Sequence, residues 1–189
     1  DGQSKEPITI KSYELSTSAS NENSNTPFVV VAGESVGLKK SPPMQMTELF
    51  EPFNYGRGIS AGDFNLDHWP DVVMAYRDHV SIYQNIGGLF KEALSLQFGA
   101  SLSPMLVALA DLNNDAWPEL FISFYGGESR VYANNQGQFD AQTYTSLNPE
   151  GHNLSLSVGF ADPDKDGDLD MVLGGWSFGD LRHFNPVMS

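Results

Sequence analysis

Acidic and apolar residues follow one another along this chain in short, repeating blocks. Three acidic stretches align without gaps: DFNLDHWPD (Asp63–Asp71), DLNNDAWPE (Asp111–Glu119) and DPDKDGDLD (Asp162–Asp170). Their starts lie 48 and 51 residues apart. A small residue precedes each one (Gly62, Ala110, Ala161). An apolar run follows each one: Val72–Val73–Met74, Leu120–Phe121–Ile122 and Met171–Val172–Leu173. These runs are short, bounded by turn residues and rich in Val, Ile and Phe, which predicts strands rather than helices.

The likeness continues downstream. VSIYQNIGGLF (Val80–Phe90) matches RVYANNQGQF (Arg130–Phe139), pairing Tyr83 with Tyr132, Asn85 with Asn134, Gly88 with Gly137 and Phe90 with Phe139. Each unit therefore reads as a strand, an acidic loop, a strand, a third strand ending near Asn, a Gly turn and an aromatic. A period of about 45–50 residues with four strands per unit is that of a propeller blade. The expected fold is all-β, with consecutive four-stranded antiparallel blades at 54–101, 102–150 and, incomplete, 151–189. The N-terminal quarter has two readings. Either residues 1–27 hold a polar segment and the first strand of a worn repeat (Ile8–Leu15), with 28–53 a partial blade whose second strand is Phe28–Ala32, or the region is a linker and an orphan strand.

Composition narrows the function. The 189 residues suffice for a core and are 40% hydrophobic, a globular value. No run of 18 apolar residues exists, so no membrane insertion is expected. With no cysteine, disulfides and thiolate metal sites are excluded. A net charge of −14 argues against nucleic-acid or anionic-membrane partners, which need a basic footprint. The three loops hold 11 of the 24 acidic side chains, so the charge is concentrated where the repeat is.

Oxygen donors at alternate positions of a curled loop can converge on one hard cation. Ca²⁺ takes roughly 6–8 oxygens and tolerates irregular geometry, whereas Mg²⁺ demands an octahedron and keeps its waters. The candidate ligands at positions 1, 3, 5 and 9 are Asp63, Asn65, Asp67 and Asp71; Asp111, Asn113, Asp115 and Glu119; and Asp162, Asp164, Asp166 and Asp170. Position 7 is expected to add a backbone carbonyl: Trp69, Trp117 and Asp168. Up to three Ca²⁺ ions are thus expected, each fixing a hairpin. An EF-hand needs a bidentate Glu at position 12, where this chain has Met74, Ile122 and Leu173. Position 6 favours a left-handed backbone. Only the third loop has Gly there (Gly167); the others have His68 and Ala116, so the third site is expected to be the tightest.

These motifs resemble the FG-GAP or VCBS-type repeats of integrin alpha-subunit propellers and of bacterial secreted and surface proteins. The likeness runs from Gly56 to about Asn185. It departs at positions 68 and 116, and the nearest Phe-Gly-like element, Gly159–Phe160, is in reversed order. The resemblance implies a calcium-binding β-propeller outside the cytoplasm, with adhesive or scaffolding roles. A seven-bladed ring needs roughly 300 residues at this repeat size. The chain therefore reads as a slice of a longer propeller, with a ring shared between two chains or a small closed ring as alternatives.

Other constellations are weaker. Gly58-Ile-Ser60-Ala-Gly62 matches the G-x-S-x-G hydrolase elbow, but it leads into an acidic loop and not a helix. The four histidines lack metal-ligand spacing. Trp69-Pro70 and Trp117-Pro118 read either as hairpin covers or as contacts for a sugar or protein. The expectation is a non-enzymatic, extracytoplasmic module with a protein or glycan partner, used in binding, adhesion or assembly. The alternative is an accessory part of a secreted hydrolase or lyase whose catalytic residues lie elsewhere.

Overall fold

The computed structural model describes residues 31–40, 58–99, 102–125, 127–147 and 153–177. Among these residues ten strands follow one another: β1 (Ile59–Gly62), β2 (Asp71–Ala75), β3 (His79–Ile86), β4 (Leu89–Gln97), β5 (Ser103–Ala110), β6 (Glu119–Tyr125), β7 (Arg130–Tyr132), β8 (Thr145–Ser146), β9 (Asn153–Ala161) and β10 (Asp170–Ser177). They form two four-stranded sheets, β1-β2-β3-β4 and β5-β6-β7-β8, and a two-stranded sheet, β9-β10. Every pairing is antiparallel and between neighbours in sequence. The fold is all-β, and the first two repeats each make one blade-like sheet. Among the described residues no helix is long and apolar enough to cross a membrane.

Period-2 alternation sorts each sheet into two faces. On β2, Val73 and Ala75 share a face with Ile82 and Val80 of β3, their cross-strand partners. That face meets Val107, Leu120, Ile122 and Phe124 of the second sheet in one continuous core, joined by Tyr132, Phe64 and Phe139. Fully burying each such side chain is worth about 1.5–3 kcal/mol, so this junction is the main source of cohesion. Phe98 and Phe124 meet edge to face, with centroids 4.9 Å apart. The next junction repeats the scheme: β9 packs against β5 and β6. There Ser123 Oγ donates to the Ser155 carbonyl at 2.9 Å.

The backbones of the first two sheets are in direct contact at Gly58. Its N–H donates to the Met105 carbonyl at 2.6 Å, and its own carbonyl accepts from Ala75 N. A Cβ there would lie 2.5 Å from Val107 N and 2.8 Å from Leu106 Cα. Nearby, Ser60 sits within β1 and its Oγ accepts from Leu109 N at 3.3 Å. This serine is part of the sheet-to-sheet seam and not the tip of a nucleophile elbow.

The second sheet is less regular than its alignment with the first suggests. After β7 the chain loops, and its fourth strand is reduced to Thr145–Ser146. Asp140 causes this. Its carboxylate accepts from Gln142 N at 2.9 Å and from Thr143 Oγ1 at 2.7 Å, offering the backbone a turn instead of a ladder.

Most of the expected worn repeat lies outside the described residues, including Ile8–Leu15. Val31 and Ala32, the end of its second expected strand, are not in a strand; they lead into a 3-10 turn, Gly33–Val36. This segment is tied to the first sheet by the Lys39–Glu92 ion pair and by Tyr76 Oη donating to the Lys39 carbonyl at 2.9 Å.

Candidate metal centre

Each acidic loop joins the first and second strands of its sheet, and one cross-strand pair closes each: Gly62–Asp71, Ala110–Glu119 and Ala161–Asp170. The small residue before the loop thus lies opposite the acid at position 9. Position 9 is buried in all three loops, with Asp71, Glu119 and Asp170 only 0%, 5% and 7% exposed.

The three loops share one backbone curl. Position 6 is left-handed in each, at His68 (φ 70°), Ala116 (φ 75°) and Gly167 (φ 99°). Position 4 is left-handed as well, at Leu66 (φ 58°), Asn114 (φ 58°) and Lys165 (φ 63°). Two left-handed residues bracketing position 5 turn successive N–H groups toward the carboxylates. Position 1 receives position 6 in every loop: His68 N to Asp63 Oδ2 at 2.8 Å, Ala116 N to Asp111 Oδ2 at 2.9 Å and Gly167 N to Asp162 Oδ2 at 3.1 Å. Position 3 receives position 5, at Asn65, Asn113 and Asp164. Position 5 receives position 7, with Trp69, Trp117 and Asp168 donating to Asp67, Asp115 and Asp166 at 2.8–3.0 Å. Position 7 therefore meets each loop through its N–H.

This scaffold draws carboxylates together. One oxygen from each of Asp63, Asp67 and Asp71 lies within 4.8 Å of the other two, and the same holds for Asp162, Asp164 and Asp166. Each oxygen keeps a lone pair beyond its backbone bond. Asp162 Oδ1 is buried and receives no hydrogen bond, whereas its counterparts on Asp63 and Asp111 accept from Asp67 N and Asp115 N. A buried anionic oxygen without a donor, beside two more carboxylates, fits a hard, oxygen-ligated cation such as Ca²⁺.

The second loop is arranged differently. Asp111, Asp115 and Glu119 do not reach that spacing among the described residues. Instead Asn113 Nδ2 lies 3.1 Å from both Asp115 Oδ2 and Glu119 Oε1, bridging the two acids with a neutral donor. In the third loop Asp170 stands outside the triad, and Asp168 accepts from Asn114 of the second loop.

Electrostatics follow from burial. Desolvation pushes the Asp71 carboxyl above its ordinary range, against backbone donation from Asn85 and Phe64. Desolvation likewise raises Glu119, although Leu112 N donates to it at 2.8 Å. Donation by Asp166 N holds Asp164 down, but desolvation and the charges of Asp166, Asp170 and Asp162 outweigh it and raise that group. Asp67 is lowered, chiefly by the Gln84 side chain and then by Trp69 N. Charge on Asp71, Glu119 and Asp164 is therefore costly without a counter-ion, whereas donors from the protein itself favour it on Asp67.

Residues outside the loops hold them in place. Asn85 N donates to Asp71 Oδ1 at 2.8 Å, Asn85 Nδ2 to the Pro70 carbonyl at 3.0 Å, and Gly88 N to Asn85 Oδ1 at 2.7 Å. Asn134 repeats the last two bonds with Pro118 and Gly137. The repeat alignment paired these asparagines, but only as strand ends. Gln84, which donates to Asp67 at 2.9 Å, has no such signal, because its counterpart is Ala133. The two tryptophans differ: Trp69 is 51% exposed, whereas Trp117 is partly buried. His68 is exposed, His79 stacks on Tyr76, and His152 and His183 lie outside the described residues.

Residues 63–122 match the family model of the FG-GAP-like repeat. The match runs from position 1 of the first loop to position 12 of the second. No curated protein matches the chain significantly.

Proposed function

We propose that the chain, which carries an FG-GAP-like repeat at residues 63–122, is a non-enzymatic repeat module of an extracytoplasmic protein whose acidic loops bind Ca²⁺. One observation carries this reading: the same doubly left-handed curl occurs three times and in two loops gathers three carboxylates around one point. Asp63, Asn65, Asp67 and Asp71 would hold an ion in the first loop, and Asp162, Asp164, Asp166 and Asp170 in the third. The second loop offers Asp111, Asn113, Asp115 and Glu119 once the Asn113 amide turns its oxygen inward, a turn that Asn65, whose Nδ2 donates to Asp67 Oδ2 at 3.0 Å, must make as well. A bound ion would supply positive charge that offsets carboxylate repulsion and adds its binding free energy to folding. The protein's own part is to hold the donors in place through the curl and the buried acid at position 9. The third loop is the tightest site in this reading, because Gly167 takes its left-handed conformation without a Cβ penalty.

The stiffened sheets then present a surface to a protein or glycan partner, in adhesion or assembly. The resemblance of the repeats to those of extracellular propellers supports this placement. Calorimetric titration with CaCl₂ tests the metal claim. The expected result is binding at up to three sites, lost from the third loop in Asp166→Ala. Asp166→Ala should also lower the melting temperature in Ca²⁺ while changing it little in excess chelator. Equal losses in both conditions would overturn the reading.

A further inference from the structure

The three loops are wired to one another by asparagine side chains. Asn134 Nδ2 donates to the Phe64 carbonyl in the first loop at 2.9 Å and to the Pro118 carbonyl in the second at 3.0 Å. These carbonyls belong to the peptides immediately before Asn65 and Glu119, two candidate ligands. Asn114, at position 4 of the second loop, donates through Nδ2 to the Gly167 carbonyl at 3.0 Å and to Asp168 Oδ1, both in the third loop. The Gly167–Asp168 peptide is thereby held at both ends. Its carbonyl accepts from Asn114, and its N–H donates to Asp166 Oδ1 at 3.0 Å. A residue of the second loop thus fixes the peptide that aims a carboxylate of the third.

We propose that the loops bind cations as a coupled set, with Asn114 and Asn134 as the positioning residues that carry the coupling. This rests on the reading of the loops as cation sites. An ion that orders the second loop also fixes the left-handed backbone from which the Asn114 amide projects. The third loop then meets its own ion partly ordered, and the remaining entropic cost is smaller. By linkage, occupation of the third loop strengthens the second equally. Repulsion between ions opposes this only weakly. The loops hold three, three and five acidic side chains, so each stays net negative with one divalent ion in place. Leu66 and Lys165, at the equivalent position of the other loops, have no amide to play this part.

The test is a double-mutant cycle on the full 189-residue chain, titrated with CaCl₂. Binding at the third loop is followed by NMR at the Gly167 amide. Asp115→Asn weakens the second loop. Asn114→Gly keeps the left-handed backbone and removes the amide. With Asn114 present, Asp115→Asn should weaken calcium binding at Gly167 about two- to tenfold, the size expected for losing one or two hydrogen bonds' worth of order. In the Asn114→Gly background the same substitution should have less than about a twofold effect. An equal effect in both backgrounds, or none in either, overturns the coupling, because a merely structural Asn114 would not make one loop's affinity depend on another's acid. A wild-type chain whose Gly167 amide does not respond to calcium contradicts the cation reading itself, a separate outcome.

Discussion

Asn134 bonds to a loop in each of two sheets: its amide nitrogen lies 2.9 Å from the Phe64 carbonyl in the first sheet and 3.0 Å from the Pro118 carbonyl in its own. Its oxygen meanwhile accepts from Gly137 N at 2.7 Å. A single side chain, 6% exposed, therefore joins two acidic loops and a hairpin turn. Asn134→Ala leaves two carbonyls and one N–H without these partners. Urea denaturation should show a loss of about 1–3 kcal/mol. Asn85→Ala should cost less, since its side chain stays within one sheet.

Left-handed residues at position 6 set a second expectation. Ala116→Gly and His68→Gly should each stabilise the protein by about 0.5–1 kcal/mol, and Gly167→Ala should destabilise it by about 1 kcal/mol or more. Thermal melts in chelator read this directly. Opposite signs would mean that the curl is not the resting backbone of these loops.

Gly58 gives a purely steric case. The Cβ of Gly58→Ala would fall 2.5 Å from Val107 N, a backbone atom that cannot rotate away. The two sheets must separate slightly, at a cost of about 1–3 kcal/mol by denaturant melts. Calcium should not change the size of this loss.

Burial raises the folded-state value of Glu119 above its unfolded value. Without metal, the folded chain then binds this proton more tightly than the unfolded chain does. The penalty is fully present above the folded value, shrinks as pH falls through it, and vanishes below the ordinary carboxylate range. In chelator, wild type should therefore gain on Glu119→Gln as pH drops from 8 to 4. In saturating calcium near pH 7.5 the order should favour wild type, because the ionised oxygen is then a ligand. Melting temperatures of both proteins across pH, with and without calcium, check the sign.

Much of this architecture is legible in the sequence because the repeat restates it. The gapless alignment of Asp63–Asp71 with its two relatives locates the loops, and the apolar runs after them mark β2, β6 and β10. Gly167 exposes the left-handed position 6. Position 4 stays hidden, since Leu66, Asn114 and Lys165 share no preference that would reveal it. The shrunken fourth strand of the second sheet is also invisible to alignment. It depends on one side chain, Asp140, competing locally with the ladder. The difference between loops likewise escapes the pattern. Glu119 fits position 9 as well as Asp71 does, but in the second loop its carboxylate is bridged to Asp115 by the Asn113 amide.

A crystal structure grown in millimolar calcium tests the central claim most directly. The account predicts an ion inside the Asp63–Asp67–Asp71 and Asp162–Asp164–Asp166 triads, with oxygen ligands at about 2.3–2.6 Å. Only water, or nothing, within all three turns would contradict it.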